Sequence, residues 1–265
     1  MRVVGYILII IAVSLLTVNL YGLTQDLEPK NLNEQHLRFG EKDRLLDAQA
    51  FWLESIRKNK ENDADYAERL TKAVAGRIAH VHWGRFPPDQ FNQRVPVWEN
   101  YLLYLAGLVS GIPEFERYHF ASPTKAVERG VGLCGDASML LSQLLDEAGI
   151  SNQIVTIPGH VMVEATINDE KLLLDPDFGV VLNNSAMWYH KKPEQIVEYY
   201  YAAGYVDDGG VNIVLDGLKG DVQYWNGVAH FITKKYYFEK LSYIAIWALP
   251  VGLWLIGFFI VRRAK

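Results

Sequence analysis

The sequence contains a single cysteine, Cys134, which lies in the segment GLCGDAS. A lone cysteine excludes an intrachain disulfide and a thiolate metal cluster supplied by one chain. The residues that follow show a helical pattern, so the thiol is predicted at the N-terminus of a helix. Unpaired amides and the positive end of the helix dipole favour a thiolate there. By itself such a cysteine is more often a small buried apolar residue, and its interpretation as a nucleophile depends on a nearby base.

A candidate base and a candidate carboxylate follow in GHVMVEATI and EKLLLDPDFGVVL, two segments that predict a β-hairpin around Asn168-Asp169. A two-residue loop would place His160 opposite Asp177, with Asp175 on the diagonal and on the same face of the hairpin. An odd-length loop would put imidazole and carboxylate on opposite faces. With the two-residue loop, either aspartate is within reach of the imidazole. Asp175, which precedes Pro176, would also suit a turn.

A cysteine, a histidine and an aspartate in this order are suited to nucleophilic acyl transfer. The thiolate attacks an acyl carbon, the imidazolium protonates the leaving amine, and the carboxylate fixes the imidazole tautomer and stabilises its cation. Water then releases the acyl group as an acid, or an amine releases it as a new amide. This chemistry requires no metal and no organic cofactor.

The helix that presents Cys134 is predicted from apolar residues at three- and four-residue spacing. Its buried stripe consists of Ala137, Leu140, Leu141, Leu144, Leu145 and Ala148. Gly149 is predicted to end this helix. A shorter helix before it is predicted to begin at Pro123, with Ser122 as its cap, and to end at Gly130.

Taken in order, GLCGDAS, GHVMVEA and LLLDPDFG resemble the core of the transglutaminase-like superfamily, which has a papain-like fold. The family pattern is Gly-x-Cys at the start of a helix, a histidine on the next strand and an aspartate at the end of the following strand. The resemblance covers residues 122–181 and implies that Cys134 is the catalytic nucleophile, His160 the general base and Asp175 the orienting carboxylate. It also implies an α+β fold in which the nucleophile helix packs on an antiparallel sheet. Many relatives carry an aromatic residue where this chain has Val161, so its substrate-facing wall is expected to differ.

The composition restricts the classes of function. The 265-residue chain has a formal net charge of -5, which offers no basic field to a nucleic acid, and no nucleic-acid partner is expected. Half of the residues are apolar but 22% are charged, so the chain is neither disordered nor wholly embedded in a membrane.

Both ends of the chain are apolar enough to span a bilayer. No charged residue occurs between Val3 and Gln25 or between Lys240 and Arg262, and each stretch meets the requirement of about 20 apolar residues. The first lacks a small-x-small cleavage site, so an uncleaved signal anchor is predicted rather than a cleaved signal peptide. Pro250 interrupts the second, where neighbouring groups are expected to satisfy the carbonyl that it frees.

These patterns predict four parts. They are a transmembrane signal anchor at 1–25, a helical N-terminal region at 26–120, a transglutaminase-like catalytic core with its C-terminal extension at 121–238, and a transmembrane helix with a basic tail at 239–265. Two spans place both termini on one side of the membrane, and the short basic tails favour the inside. The catalytic domain is therefore expected outside the cell membrane, with a protein or cell-envelope peptide as its substrate.

Four further residues are weaker candidates. His80 and His82 share a predicted strand face, as half of a metal site would, but zinc requires three or four ligands and a structural role is favoured. Asn100 and Trp98 are candidates by position for the second donor of an oxyanion hole.

An alternative function uses the same fold without catalysis. The domain would then be a binding or scaffold module, and the two spans would dock into a membrane complex for envelope or polysaccharide assembly. Degenerate members of the family would be expected to lose the cysteine or the histidine. This chain retains all three candidate residues, which favours an enzyme.

Overall fold

The computed structural model describes residues 1–40, 43–205 and 209–263. The fold is α+β, and the chain divides into two compact units that are each built from separate stretches of sequence. The first unit consists of Met1–Pro29, Phe86–Tyr118 and Lys234–Lys265, and the second consists of Lys30–Arg85 and His119–Thr233. The predicted helical region at 26–120 therefore contributes to both units.

The helices are, in chain order, α1 (Arg2–Gly22), α2 (Ala48–Ser55), α3 (Asp63–Arg77), α4 (Tyr101–Val109), α5 (Pro113–Glu116), α6 (Pro123–Arg129), α7 (Cys134–Glu147), α8 (Ala186–Lys191), α9 (Val197–Ala202), α10 (Gly209–Leu218), α11 (Val228–Phe231) and α12 (Thr233–Arg263). The strands are β1 (Ala79–His80), β2 (Val131–Gly132), β3 (Ser151–Ile157), β4 (His160–Ile167), β5 (Glu170–Asp175), β6 (Val180–Leu182) and β7 (Gln223–Trp225).

Five of these strands form an antiparallel sheet in the order β6-β5-β4-β3-β7, while β1 and β2 form a separate parallel pair. The predicted two-residue turn between β4 and β5 is confirmed, because Ile167 pairs with Glu170. Asn168 and Asp169 have φ values of 52° and 66°. Positive φ at both positions is what a type I′ hairpin turn requires, and Asn and Asp tolerate it better than most residues.

The two faces of this sheet carry separate apolar clusters. Val163 and Leu174 point into a cluster that contains the buried stripe of α7, together with residues of α2 and α3. The neighbouring residues Met162 and Leu173 point into a second cluster, which is completed by residues of α8, α9 and α10. Successive side chains of each strand point to opposite faces of the sheet, and both faces are therefore buried.

The predicted boundaries of the two helices before β3 are confirmed. The Ser122 side chain accepts a hydrogen bond from the Lys125 amide at the start of α6, and Gly130 ends that helix with a left-handed φ of 65°. Gly149 follows α7 with a φ of 76°. Farther upstream, α3 is capped by Asn62, whose side chain accepts a hydrogen bond from the Asp65 amide.

The first unit contains two helices, α1 and α12, that are long and apolar enough to cross a membrane. Their backbones approach closely where glycine faces glycine. A Cβ atom on Gly5 would lie 2.8 Å from the carbonyl oxygen of Gly257, and one on Gly257 would lie 2.7 Å from that of Gly5. Small residues allow this kind of close helix packing in membranes.

The expectation that neighbouring groups satisfy the carbonyl freed by Pro250 is confirmed. Pro250 lacks the amide that would bond the Ile246 carbonyl, four residues earlier, yet α12 continues through it. The Asn19 side chain donates to this carbonyl at 2.6 Å, and the Tyr101 hydroxyl donates to it at 3.0 Å. Two distant parts of the chain thus replace one missing hydrogen bond.

Replacing Asn19 by leucine should destabilise the full-length protein in lipid nanodiscs by about 1 kcal/mol, the typical contribution of a hydrogen bond between membrane helices. Thr17→Leu is the matched control, because Thr17 bonds within its own helix. Adding Pro250→Ala to the Asn19 variant supplies the missing amide and should recover most of the loss. Thermal unfolding measures all three variants, and a loss that Pro250→Ala leaves unchanged would contradict this role of Asn19.

Candidate active site

The fold brings the three predicted residues together at the ends of three elements. Cys134 is the first residue of α7, His160 is the first residue of β4 and Asp175 is the last residue of β5. His160 Nε2 lies 2.8 Å from Asp175 Oδ2, and both side chains are buried. The Cys134 residue is partly exposed.

The His160 imidazole is held between the thiol and the carboxylate. Burial disfavours its charged form, but the charges of Asp175 and Cys134 and hydrogen bonds to both outweigh burial and raise the pKa of His160 well above its usual value. Because Nε2 faces Asp175, Nδ1 is the ring nitrogen left for the thiol. A raised pKa means that the imidazolium stabilises the fold fully below pH 6.5, and that this contribution is lost as the pH rises through the raised value.

The position of the thiol depends on how the helix and the strand are joined. The Ser138 hydroxyl, one turn into α7, donates to the carbonyl of Val161 at 2.9 Å. This bond ties the first turn of the helix to the residue after His160. As the first residue of α7, Cys134 also has a backbone amide without an acceptor in its own helix, and this amide can serve a developing oxyanion.

Asp136 anchors the start of α7, a role that the sequence analysis missed. Its Oδ2 accepts from the Leu133 amide at 2.9 Å and lies 2.6 Å from His119 Nδ1, while Arg129 Nη2 lies 3.3 Å from Oδ1. The carboxylate is buried. Burial raises its pKa, but the charges of His119 and Arg129 outweigh burial, so that the pKa is lowered. An acidic side chain three residues after the N-cap was the available sequence signal.

The structure separates the two candidate aspartates. The β4–β5 ladder ends at the pair Val163 and Leu174, so His160 does not face Asp177 across the hairpin as expected from the register. Instead the chain turns after Asp175, whose Oδ1 accepts from the amides of residues 177 and 178 at 3.1 and 3.3 Å. Among the hydrogen bonds that the structure describes for these two aspartates, the one to His160 is made by Asp175 and not by Asp177.

Asp177 binds a different pair of side chains. Its Oδ1 lies 2.6 Å from His80 Nδ1, and its Oδ2 accepts from Arg38 Nη1 at 3.2 Å. Burial raises the pKa of Asp177. The charge and hydrogen bond of His80, together with the charges of His160 and Arg38, outweigh burial and lower this pKa. His80 is thus part of an ion-pair cluster. Among the residues that the structure describes, no three His, Cys, Asp or Glu side chains are grouped as metal ligands.

Tyr200 completes the surroundings of Asp175. Its hydroxyl donates to Asp175 Oδ2 at 2.6 Å, the same oxygen that faces His160. Burial and the charge of Asp175 raise the pKa of Tyr200 well above its usual value, so the phenol keeps its proton and remains a donor. No sequence pattern in the run of tyrosines at 199–201 identified this contact.

Cys134 and His160 open onto a cleft of about 530 Å³. Its wall is formed by Arg38, His80, His82, Leu133, Gly159, Gly209, Gly210 and Ile213 together with these two residues. The Arg38 guanidinium lies against Gly210, so that a larger residue at position 210 would displace the end of this side chain. The cleft gives an acyl group access to the thiol.

The two residues proposed by position as oxyanion donors belong to the first unit, whereas Cys134 belongs to the second. The Asn100 amide group donates to the Ser242 hydroxyl at 3.0 Å, and its oxygen accepts from the amides that begin α4. Its side chain thus has a structural role in that unit.

Neither family models, curated proteins nor solved structures match this chain. The interpretation of the site therefore rests on its geometry.

The pH dependence of Cys134 alkylation by iodoacetamide should reveal the imidazolium beside it. An ordinary thiol, with a pKa of about 8.5, loses roughly a hundredfold in rate between pH 8 and pH 6. The wild-type protein should lose less than about tenfold over this range, because the charged imidazole favours thiolate. His160→Ala should restore the ordinary dependence, and His230→Ala, at an exposed histidine, should not. If the alkylation rates of the wild type and His160→Ala depend on pH in the same way, Cys134 and His160 do not form a thiolate–imidazolium pair.

Tyr200→Phe should shift the pKa of the His160 imidazole, measured by NMR titration, upward by less than about one unit. The carboxylate of Asp175 loses one donor, becomes more basic and holds the imidazolium more strongly. Tyr189→Phe is the control, since Tyr189 is buried in the same apolar cluster and lies outside the hydrogen bonds of Asp175. A downward shift, or an equal shift in both variants, would refute the positioning role of Tyr200.

Proposed function

We propose that this protein is a membrane-anchored cysteine enzyme that transfers acyl groups from amide bonds of proteins or cell-envelope peptides. The observation that carries the proposal is the buried imidazole of His160, held between the Cys134 thiol and the Asp175 carboxylate beside an open cleft. Three such groups in series are the minimum for a thiol nucleophile with an oriented base.

The reaction follows from the positions of these groups. The thiolate of Cys134 attacks the acyl carbon of the amide, and the electron pair of the carbonyl moves to oxygen. The oxyanion lies near the free amides of the first turn of α7, at the positive end of the helix dipole. When the tetrahedral intermediate collapses, His160 gives its proton to the leaving amine and a thioester forms.

The second half-reaction regenerates the thiol. Neutral His160 takes a proton from water or from an incoming amine, which attacks the thioester. The products are an acid or a new amide, respectively, and the thiolate leaves. Asp175 remains ionised throughout and stabilises the imidazolium.

The same arrangement supports a transglutaminase-like, papain-like core. The resemblance implies a nucleophile at the start of a helix packed on an antiparallel sheet, with the histidine on the next strand and the aspartate at the end of the following one. Here Cys134 begins α7, and His160 and Asp175 lie on two consecutive antiparallel strands, β4 and β5, while one further strand, β3, lies between α7 and β4 in the chain.

The proposed location is the cell membrane, with α1 and α12 as spans and the catalytic domain outside the cytoplasm. The apolar character and length of both helices support spanning. Arg2 near one end of the chain and Arg262 and Arg263 near the other support tails that remain inside.

Acyl transfer can be tested with p-nitrophenyl acetate as a generic acyl donor and the full-length protein in lipid nanodiscs. We expect a burst of p-nitrophenolate stoichiometric with protein, and intact-mass analysis should find one acetyl group on Cys134. Addition of glycinamide then separates two outcomes, since a transferase forms acetylated glycinamide and a hydrolase releases acetate.

Two variants control this experiment. His160→Ala keeps the thiol but should lose the burst, whereas His230→Ala should keep it. If Cys134 is acetylated no faster than a free cysteine, or equally in all three proteins, the catalytic proposal fails and the scaffold alternative becomes the working hypothesis.

A further inference from the structure

The first unit contains an apolar helix, α4, that the proposed function does not use. The stretch NYLLYLAGLVSGIP, between Glu99 and Glu114, contains no charged residue. Uncharged apolar stretches of roughly 10–14 residues are too short to span a bilayer, and they form buried core helices, signal-peptide segments or segments within the membrane interface. An internal position excludes a signal peptide, so exposure decides between the other two.

One face of α4 is exposed and entirely apolar. Leu105 and Leu108 are 49% and 48% exposed, and beyond them Val109 and Ile112 are 78% and 45% exposed. Leu105, Leu108 and Val109 follow the spacing of a single helix face, and Ile112 lies three residues beyond the end of α4. A core helix would bury them, so α4 is not part of a core on this side.

The opposite face of α4 packs against its own unit. Leu103 is completely buried. A Cβ atom on Gly107 would lie 2.6 Å from the carbonyl oxygen of Phe115 in the following short helix. The helix is therefore fixed in place, and its apolar face is presented by the fold rather than by a loose segment.

Contacts with α12 show how deep this segment lies. The Tyr243 hydroxyl donates to Glu99 at 2.6 Å where the segment begins, and the Tyr118 hydroxyl, five residues beyond its end, donates to Glu239 at 3.0 Å. Both of these partners lie near Lys240, the last charged residue before the apolar stretch of α12.

Between these two points the segment reaches farther along α12. The Tyr101 hydroxyl donates to the Ile246 carbonyl at 3.0 Å. Ile246 is six residues beyond Lys240, about 9 Å along a helix axis, and half of a bilayer core is about 15 Å thick. The start of α4 therefore lies at the level of the proposed span and not in the aqueous region.

We infer that α4 is a third membrane element, a short helix in the outer part of one leaflet whose exposed apolar face contacts lipid acyl chains. The inference rests on the membrane anchoring in the proposed function. Lipid is the occupant because Tyr101, at the start of α4, binds the Ile246 carbonyl of α12, and the nearby apolar side chains of Ile244 and Trp247 in α12 are also exposed.

Spin labelling tests this inference in the full-length protein. The Cys134→Ala variant has no cysteine, so single cysteines can be placed at Leu108 on α4, at Ile256 in the proposed span and at Lys171 on the exposed surface of the sheet. Each variant is labelled with a nitroxide in phosphatidylcholine–phosphatidylglycerol nanodiscs. Collisions with oxygen, which concentrates in lipid, are compared with collisions with a water-soluble nickel chelate.

The Leu108 label should resemble the Ile256 label, with frequent oxygen collisions and a loss of collisions with the nickel chelate. The Lys171 label should show the reverse. A water-like Leu108 label beside a lipid-like Ile256 label would overturn the inference and leave the spans intact, whereas a water-like Ile256 label would overturn the membrane anchoring itself. A Leu108 label shielded from both reagents would mean that protein covers α4, which also overturns the inference. Leu105→Cys, on the same face, repeats the test if the Leu108 variant does not fold.

Discussion

The carboxylate of Asp175 has no contact with solvent, and a charge in such a place is tolerated only when donors surround it. The donors come from three parts of the second unit: the imidazole of His160 at the start of β4, two amides of the turn after β5, and the hydroxyl of Tyr200 in α9. The charge can be buried only when these parts are assembled. The same requirement fixes the orientation of the imidazole, and with it the nitrogen that faces the thiol.

Two other buried aspartates near Cys134 follow the same rule with different partners. Asp177 binds His80 and Arg38, and Asp136 binds His119 and Arg129. Buried ion pairs contribute little net stability, but breaking one is costly. The main effect of these buried ion pairs is therefore to determine which side chains pack beside each aspartate. His160 differs from the other two histidines because it is also hydrogen-bonded to the Cys134 thiol.

In the first unit, buried hydrogen bonds satisfy a neutral group, the Ile246 carbonyl, as they satisfy the charged aspartates of the second unit. Pro250 frees one carbonyl in α12, and two donors from distant parts of the sequence, Asn19 and Tyr101, satisfy it. An unsatisfied carbonyl in lipid costs several kcal/mol, so this single site ties α1 and the start of α4 to α12. In both units a polar group in apolar surroundings determines which segments come together.

The sequence by itself determined the elements of the site whose structure depends on near neighbours. Ser122 and Gly149 mark helix boundaries because capping and left-handed φ are properties of a few adjacent residues, and Asn168-Asp169 fixes the hairpin register through the turn that it forms. Spacing along the hairpin could not choose between Asp175 and Asp177, and only the family resemblance favoured Asp175. The choice depends on where the ladder ends and on the position of His80, 97 residues away. Nothing in the sequence indicated the Tyr200 contact, for the same reason. Local backbone preferences are encoded at short range, whereas the partner of a buried polar side chain is decided only when distant segments pack and exclude water.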